Sequence, residues 1–192
     1  MKEIEHDPNR RRILTLVTSF AAGAGLMAAS VPFLGYWKPS EKAKNAAAPV
    51  IVDISKVQTG SMITVPWQGK PVWILRRDAS TLEYLQRPEH RSTLRDPDSN
   101  INQQPDYAKN EFRSIHPKLL VALGICTHLG CVPRYKLSAS NAIYFCPCHG
   151  SKFDLAGRVY KGVPAPTNLI IPPHQYLDEN VIKIGLDEKT LG

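Results

Sequence analysis

The longest apolar segment of the chain spans residues 13–36 and contains no charged side chain. A helix crossing a bilayer needs about 20 such residues, whereas the apolar region of a cleavable signal has about 7–15. The pattern therefore predicts an uncleaved transmembrane anchor. Arg10–Arg12 precede it in a basic segment, residues 1–12, that loosely fits a twin-arginine export signal. The positive-inside rule places that segment in the cytoplasm and the rest of the chain on the opposite side.

Downstream of the anchor, the pattern separates a polar segment from a domain of short strands. Residues 37–49 are polar and Ala-rich without an apolar face, which predicts a flexible tether. Residues 50–192 contain β-branched and aromatic runs at short spacing, typical of a mainly β, sandwich-like head. Strands are predicted at 50–55, 61–67 and 71–77, ahead of each cysteine motif, and on both sides of a turn at 178–180; a turn is predicted at 68–70.

Two further segments carry weaker patterns. Ser80 and Glu83 form a possible capping box, which predicts that a short helix begins with Ser80 as its N-cap. Residues 88–117 are polar, include four prolines and show little periodicity. We expect this insertion to be an irregular surface excursion, and the sequence assigns it no chemistry. Four histidines have no chemical context and are expected at the surface: His6, His90, His116 and His174.

Composition narrows the possible functions only slightly. The chain has 192 residues, of which 43% are apolar and 21% charged, so a folded core is expected rather than disorder. The formal net charge is +7, and part of it is the arginine run before the anchor. Because no basic helix or basic-aromatic stripe follows, the sequence does not indicate nucleic-acid binding.

All four cysteines lie in two short motifs, CTHLGC at 126–131 and CPCHGS at 146–151. Each motif follows an apolar strand and pairs a cysteine with a histidine: Cys126 with His128, and Cys146 with His149. A disulfide has no need of an imidazole, whereas a metal site does. Two thiolates and two imidazoles suit tetrahedral zinc or an iron–sulfur centre.

The remaining cysteines, Cys131 and Cys148, stand one in each motif. If the motifs face each other, these two can form a disulfide in an oxidising compartment. The alternative is ligation by all four cysteines, with the histidines as bystanders.

The two motifs together resemble the cluster-binding loops of Rieske proteins. These proteins hold a 2Fe–2S centre in which two histidines replace two cysteines on one iron. By this resemblance, Cys126 and Cys146 bind the inner iron, and His128 and His149 bind the outer, solvent-facing iron. The resemblance also implies a cluster-binding subdomain at about residues 124–166.

Further positions match the family residue by residue. The resemblance assigns Cys131 and Cys148 to a disulfide between the loops. Ser151 matches a serine that donates a hydrogen bond to a bridging sulfide, and Leu129 matches an apolar residue that shields the centre. The sequence GVPAP at 162–166, which includes Pro164, looks like the Pro loop that covers the centre.

One position departs from the respiratory pattern. Many relatives carry a tyrosine two residues after the serine, and its hydroxyl donates to a cysteine sulfur on the cluster. Here that residue is Phe153. Because a donor to sulfur stabilises the reduced state, the phenylalanine implies a lowered reduction potential.

The order of anchor, tether and head looks most like the Rieske subunit of a bacterial cytochrome bc complex (ubiquinol–cytochrome c reductase). That resemblance implies partnership with cytochrome b and a c-type cytochrome in a dimeric complex of the inner membrane. It implies that His149 takes a proton from quinol, and that the periplasmic head then moves to deliver the electron to the c-type cytochrome. Two alternatives remain at this level: the small subunit of arsenite oxidase and a membrane-anchored zinc module without redox activity.

Overall fold

The computed structural model describes residues 7–40, 48–137 and 142–186. The chain divides into two units, Met1–Asn45 and Ala46–Gly192. His6 and most of the predicted tether, residues 41–47, lie outside the described residues.

Helix α1 spans Pro8–Tyr36 and is the element of the first unit. It begins five residues before the apolar run, because Asp7 caps it by accepting from the backbone N–H of Asn9 at 2.9 Å and Pro8 occupies the first turn. Its most apolar window has a mean hydropathy of 1.7, and none of its side chains is buried. By length and composition this helix can cross a bilayer.

The described residues of the second unit form three three-stranded antiparallel sheets. One sheet has the order β1 (Val50–Asp53), β9 (Val181–Ile184), β8 (His174–Asp178). Another has the order β2 (Met62–Trp67), β3 (Lys70–Arg76), β4 (Leu119–Leu123). The last has the order β5 (Arg134–Leu137), β6 (Ala142–Phe145), β7 (Lys152–Phe153). Short helices lie between β3 and β4: α2 (Ala79–Gln86), α3 (Pro88–Ser92) and a 3₁₀ turn at Asp106–Ala108.

The sheet β2–β3–β4 separates two hydrophobic cores. Alternate side chains of a strand point to opposite faces, so Trp73 and Leu75 enter one core while Val72 and Ile74 enter the other. The first core also holds Tyr144, and Trp73 stacks on it with ring centroids 4.7 Å apart. Burial on both faces explains why β4 is a continuous apolar run without polar alternation.

Most predicted strands are present, with ends shifted by a few residues. The turn at 68–70 is a tight one in which Gln68 and Gly69 have φ of 52° and 71°, as a two-residue hairpin requires. The two final strands flank Glu179 and Asn180 as expected. Strands β5 and β7 are not predicted by the pattern, because each is short; β5 lies between the cysteine motifs and β7 directly after the second one.

The prediction that Ser80 is the N-cap of the short helix is wrong. Helix α2 begins at Ala79, and its N-cap is Asp78 rather than Ser80. The Asp78 carboxylate accepts from the backbone N–H of Thr81 at 2.7 Å and from the Ser80 hydroxyl at 2.9 Å. An ionised carboxylate is the stronger acceptor at a helix N-terminus, and these hydrogen bonds lower the pKa of Asp78.

The insertion, residues 88–117, is not a surface excursion throughout. Arg113 is fully buried, and its guanidinium donates to the carbonyls of Ala156, Gly157 and Leu169 at 3.3, 3.2 and 2.7 Å. The prolines and polar side chains of the insertion suggested a solvent-exposed segment. Instead, its buried polar groups make hydrogen bonds to backbone that is distant in sequence. The other buried members of the insertion include His90, Leu94, Asp96, Ser99, Gln104, Ala108 and Ser114.

Two of the four histidines expected at the surface are buried. His90 places Nε2 3.0 Å from the Asp154 carboxylate, and both side chains are 1% exposed. His174 places Nδ1 2.8 Å from the carbonyl oxygen of Pro172. His116 is exposed as expected. The partner of His90, Asp154, lies in a distant segment, and the partner of His174 is a backbone carbonyl in the irregular segment before β8. Neither partner is apparent from the sequence.

Candidate metal centre

The two motifs fold into loops with the same backbone hydrogen bonds. In the first loop, residues 126–131, the Cys126 N–H donates to the Cys131 carbonyl at 2.7 Å, and the Gly130 N–H returns to the Cys126 carbonyl at 3.0 Å. In the second loop, residues 146–151, the same two bonds join Cys146 with Ser151 at 2.8 Å and Gly150 with Cys146 at 3.0 Å.

Glycine at the fifth position closes both loops. Gly130 and Gly150 have φ of 81° and 78°, in the left-handed region that glycine enters without strain. The equal dihedrals explain why both motifs carry glycine at this position. The loops are therefore two copies of one backbone structure, each presenting three side chains between its end residues.

The first cysteine of each loop lies on the buried side of the site. Cys126 and Cys146 are free thiols, each 2% exposed, within the core that contains Trp73 and Tyr144. Burial raises the pKa of the Cys126 thiol, and its contact with the Cys146 thiol raises it further. Hydrogen bonds from the His128 backbone N–H and the Ser151 hydroxyl act in the opposite direction.

The two histidines lie side by side on the outer side of the site. The rings of His128 and His149 meet edge to face, with centroids 4.8 Å apart. His128 is half-buried and His149 is exposed. The structure thus places a pair of thiols inside and a pair of imidazoles on the outer side, with the members of each pair in contact.

Cys131 and Cys148 form a disulfide between the loops, with Cα atoms 6.8 Å apart. Within the described residues, the Sγ atoms of these two cysteines and of Cys146 form a group whose members lie within 4.8 Å of one another. Because two of the three sulfurs are bonded to each other, this group reflects the disulfide beside Cys146 and is not a metal site by itself. The pairing excludes ligation by four free cysteines.

Ser151 and the Pro loop, residues 162–166, meet behind the thiols. The Ser151 hydroxyl accepts from the Ala165 N–H at 3.0 Å, and both residues are fully buried. Pro164 is exposed, so within the Pro loop it is Ala165 that contacts the loops. Leu129 is 70% exposed at the tip of the first loop.

Phe153 is fully buried in the same core as the two thiols. It pairs with Tyr144 across β6 and β7 and forms an isolated bridge with Val159. The phenylalanine ring therefore occupies an interior position close in sequence to the second loop.

Two contacts near the site were not expected from the sequence. The Thr127 hydroxyl donates to the Thr167 carbonyl at 2.7 Å, which joins the first loop to the chain just after the Pro loop. The Arg95 guanidinium, from the insertion, donates to the Val163 and Pro166 carbonyls. Both contacts span 40 residues or more, so no local signal could have found them.

The donor set fits a 2Fe–2S centre of mixed ligation. Such a centre needs two thiolates on one iron and two imidazoles on the other, and these are the two pairs that the loops present on opposite sides. The thiols are excluded from solvent, while one imidazole reaches it. Cys126, His128, Cys146 and His149 are thus able to hold such a group, with the disulfide bracing the loops.

Comparison with known proteins gives a consistent result. The family model described as "Rieske [2Fe-2S] domain" matches residues 48–174. The chain is 49% identical over 186 residues to the ubiquinol–cytochrome c reductase iron–sulfur subunit of Allochromatium vinosum, covering 93% of this chain and 89% of that protein. It is 40% identical over 194 residues to the same subunit of Rhodobacter capsulatus, covering 96% and 100%. A solved structure titled "Hyperthermophilic respiratory Complex III" aligns with 25% identity and a TM-score of 0.47, covering 90% of this chain and 98% of that one.

Proposed function

The chain belongs to the Rieske iron–sulfur family, and we propose that it is the electron-transfer subunit of a bacterial ubiquinol–cytochrome c reductase. Its sequence identity to such subunits extends over nearly the whole chain, including the anchor helix and both loops. In this role it works with cytochrome b and a c-type cytochrome. The observation that carries the proposal is the pair of matched loops, with two thiols inside and two imidazoles outside.

The proposed ligands of one 2Fe–2S centre are Cys126 and Cys146 on the inner iron and His128 and His149 on the outer iron. Burial of the thiols and exposure of His149 support this assignment of sides. The bound centre would accept one electron from quinol and pass it on to the c-type cytochrome. Around it, Ser151 supplies a hydrogen bond to sulfur, and the Cys131–Cys148 disulfide keeps the loops at a fixed separation.

His149 is the proposed point of contact with quinol. Its imidazole reaches solvent at the loop tip, so a quinol hydroxyl can donate a hydrogen bond to it and then transfer its proton. Leu129, exposed on the neighbouring loop, offers an apolar contact for the quinol site of cytochrome b. The second quinol electron would pass to a b haem.

The proposed topology has a cytoplasmic N-terminus and a periplasmic head. Arg10–Arg12 at the start of α1 support this orientation through the positive-inside rule. The disulfide supports it independently, because structural disulfides persist on the oxidising side of the membrane. Movement of the head on the tether at 37–49, between cytochrome b and the c-type cytochrome in a dimeric complex, completes the proposal.

The test is purification of the full-length chain from membranes in a mild detergent. We expect b- and c-type haems to co-purify, with two irons and two sulfides per chain and a Rieske electron-spin resonance signal after reduction. Zinc without iron or sulfide would contradict the proposal and favour a structural zinc module. A molybdenum subunit in place of the haem proteins would favour the arsenite oxidase alternative.

A further inference from the structure

The insertion, residues 88–117, reaches the segment that leads into the Pro loop. The Arg95 N–H donates to the Val159 carbonyl at 2.9 Å, and the Lys161 N–H donates to the Thr93 carbonyl at 2.8 Å. Leu94, which lies between them and is 1% exposed, forms an antiparallel bridge with Tyr160. A short strand of the insertion is thus fixed beside the chain just before residue 162.

From this strand, Arg95 extends its side chain over the Pro loop. One guanidinium nitrogen donates to the Val163 carbonyl at 2.9 Å, and the other lies 3.4 Å from the Pro166 carbonyl. The Pro loop has few donors of its own, because Pro164 and Pro166 lack an N–H. A planar guanidinium, with several donors in a fixed fork, can hold two carbonyls at once where an ammonium cannot.

The opposite side of the Pro loop touches both ligand loops. The Ala165 N–H, between the two carbonyls that Arg95 holds, donates to the Ser151 hydroxyl at 3.0 Å. The Thr167 carbonyl, one residue beyond, accepts from the Thr127 hydroxyl at 2.7 Å. The Pro loop is therefore held from outside by the insertion and from inside by the first and second loops.

The hydrogen bond at Ser151 has a direction. Because the hydroxyl oxygen accepts from the Ala165 N–H, its own proton is available to the Cys126 thiol, whose pKa the Ser151 hydroxyl lowers. A stable Ala165 N–H thus orients the serine as a donor to sulfur. Hydrogen bonds to cluster sulfurs are among the factors that set the reduction potential of iron–sulfur centres.

We propose that Arg95 is a positioning residue that holds the Pro loop against Ser151 and thereby raises the reduction potential of the iron–sulfur centre. The inference rests on the proposed function, since it requires that Cys126 binds the centre. The side-chain hydrogen bonds of Arg95 go to the Pro loop and not to a candidate ligand, so its effect passes through Ala165 and Ser151. It gives the insertion a role in the redox chemistry that its sequence did not suggest.

The test measures two quantities separately in the detergent-solubilised complex: the hydrogen exchange of the Pro loop and the reduction potential of the centre. Arg95→Gln should speed hydrogen exchange of the Ala165 amide at least tenfold, because the loop opens more often without its outer contact. It should also make reduction about threefold less favourable, which is about 30 mV for a one-electron couple. Arg87→Gln is the matched control, because Arg87 is an exposed arginine next to the insertion that pairs with Glu83 and not with the Pro loop.

A double-mutant cycle separates positioning from simple loss of charge. In a Ser151→Ala background, where the Ala165 N–H has already lost its acceptor, Arg95→Gln should no longer change the potential. A shift that persists in this background would mean that the arginine acts through its charge, and the proposal would be wrong. Unchanged exchange and potential in Arg95→Gln alone would also overturn it. If the wild-type complex shows no Rieske signal, the proposed function fails instead.

Discussion

The first and second loops have one backbone and two different sets of side chains. Both close through the same pair of hydrogen bonds and a glycine with φ near 80°. Their first positions are also equivalent, since Cys126 and Cys146 are buried to the same extent. The difference that matters for ligation is at the third position, where the first loop has His128 and the second has Cys148.

This difference at the third position moves the second histidine one residue along its loop. Cys148 is used by the disulfide, so the imidazole of the second loop comes from the fourth position, His149. The fourth position is the tip of both loops: Leu129 there is 70% exposed, and His149 is exposed as well. His128, at the third position, is half-buried.

A shift of one residue therefore gives two chemically similar ligands different access to solvent. The imidazole that can exchange a proton with quinol is the one at the loop tip. The disulfide has a second role in this comparison, because its Cys148 occupies the third position of the second loop and the histidine of that loop therefore stands at the tip.

The largest expected effect is loss of the centre when either loop loses a ligand. His128→Ala and His149→Ala should each abolish the Rieske electron-spin resonance signal, as should Cys126→Ala and Cys146→Ala, because each iron depends on one residue from each loop. His116→Ala, which removes an exposed histidine outside the site, should leave the signal intact. A surviving signal in any of the four ligand variants would contradict the assignment.

Breaking the disulfide should have the next largest effect, and the same effect from either loop. Cys131→Ser and Cys148→Ser open a bridge of sequence separation 17. In the chain-entropy model this destabilises by about 3 kcal/mol, or roughly 6–12 °C in the thermal midpoint. The double variant should match either single one in a calorimetric scan. Destabilisation by only one of the two single variants would mean that the bond itself is not the cause.

Gly130→Ala and Gly150→Ala test whether the two backbones are energetically equivalent. An added Cβ meets no atom within 4 Å at either position, so the effect is the left-handed φ alone. Each should lower the free energy of unfolding by about 1–2 kcal/mol and should weaken retention of the centre. Gly60→Ala, at φ +79° and also in open space, is a matched control that should lose stability but keep the centre. A clear difference between the two loop variants would show that their backbones are not interchangeable.

The smallest expected effect is on the reduction potential and concerns Phe153, which lies two residues after the end of the second loop. Phe153→Tyr should raise the reduction potential, because a phenol can donate to a cluster sulfur. A net hydrogen bond of about 1 kcal/mol corresponds to roughly 40 mV for a one-electron couple. Phe145→Tyr, on the neighbouring strand with its ring beside Lys136, serves as the control and should leave the potential unchanged. An unchanged or lower potential in Phe153→Tyr would contradict the prediction in a redox titration.

The sequence by itself determined the parts of this protein that depend on neighbouring residues. The anchor helix follows from an uninterrupted apolar run, and the β2–β3 hairpin follows from Gln68 and Gly69 between two β-branched and aromatic runs. The two loops are local as well, because their ligands, glycines and closing hydrogen bonds lie within six residues. For that reason the two motifs are sufficient to nominate all four candidate ligands.

Tertiary structure alone decided what surrounds the loops. The buried guanidinium of Arg77 binds the Leu155 carbonyl across 78 residues, and Arg95 reaches Val163 across 68. His90 is likewise buried because its imidazole forms a hydrogen bond with the carboxylate of Asp154, 64 residues away. In a sequence these side chains look like solvated surface, since charge and polarity usually indicate exposure. The burial of Arg77 and His90, and the contact of the exposed Arg95 with the Pro loop, depend on backbone carbonyls and a carboxylate that only the folded chain brings within hydrogen-bonding distance.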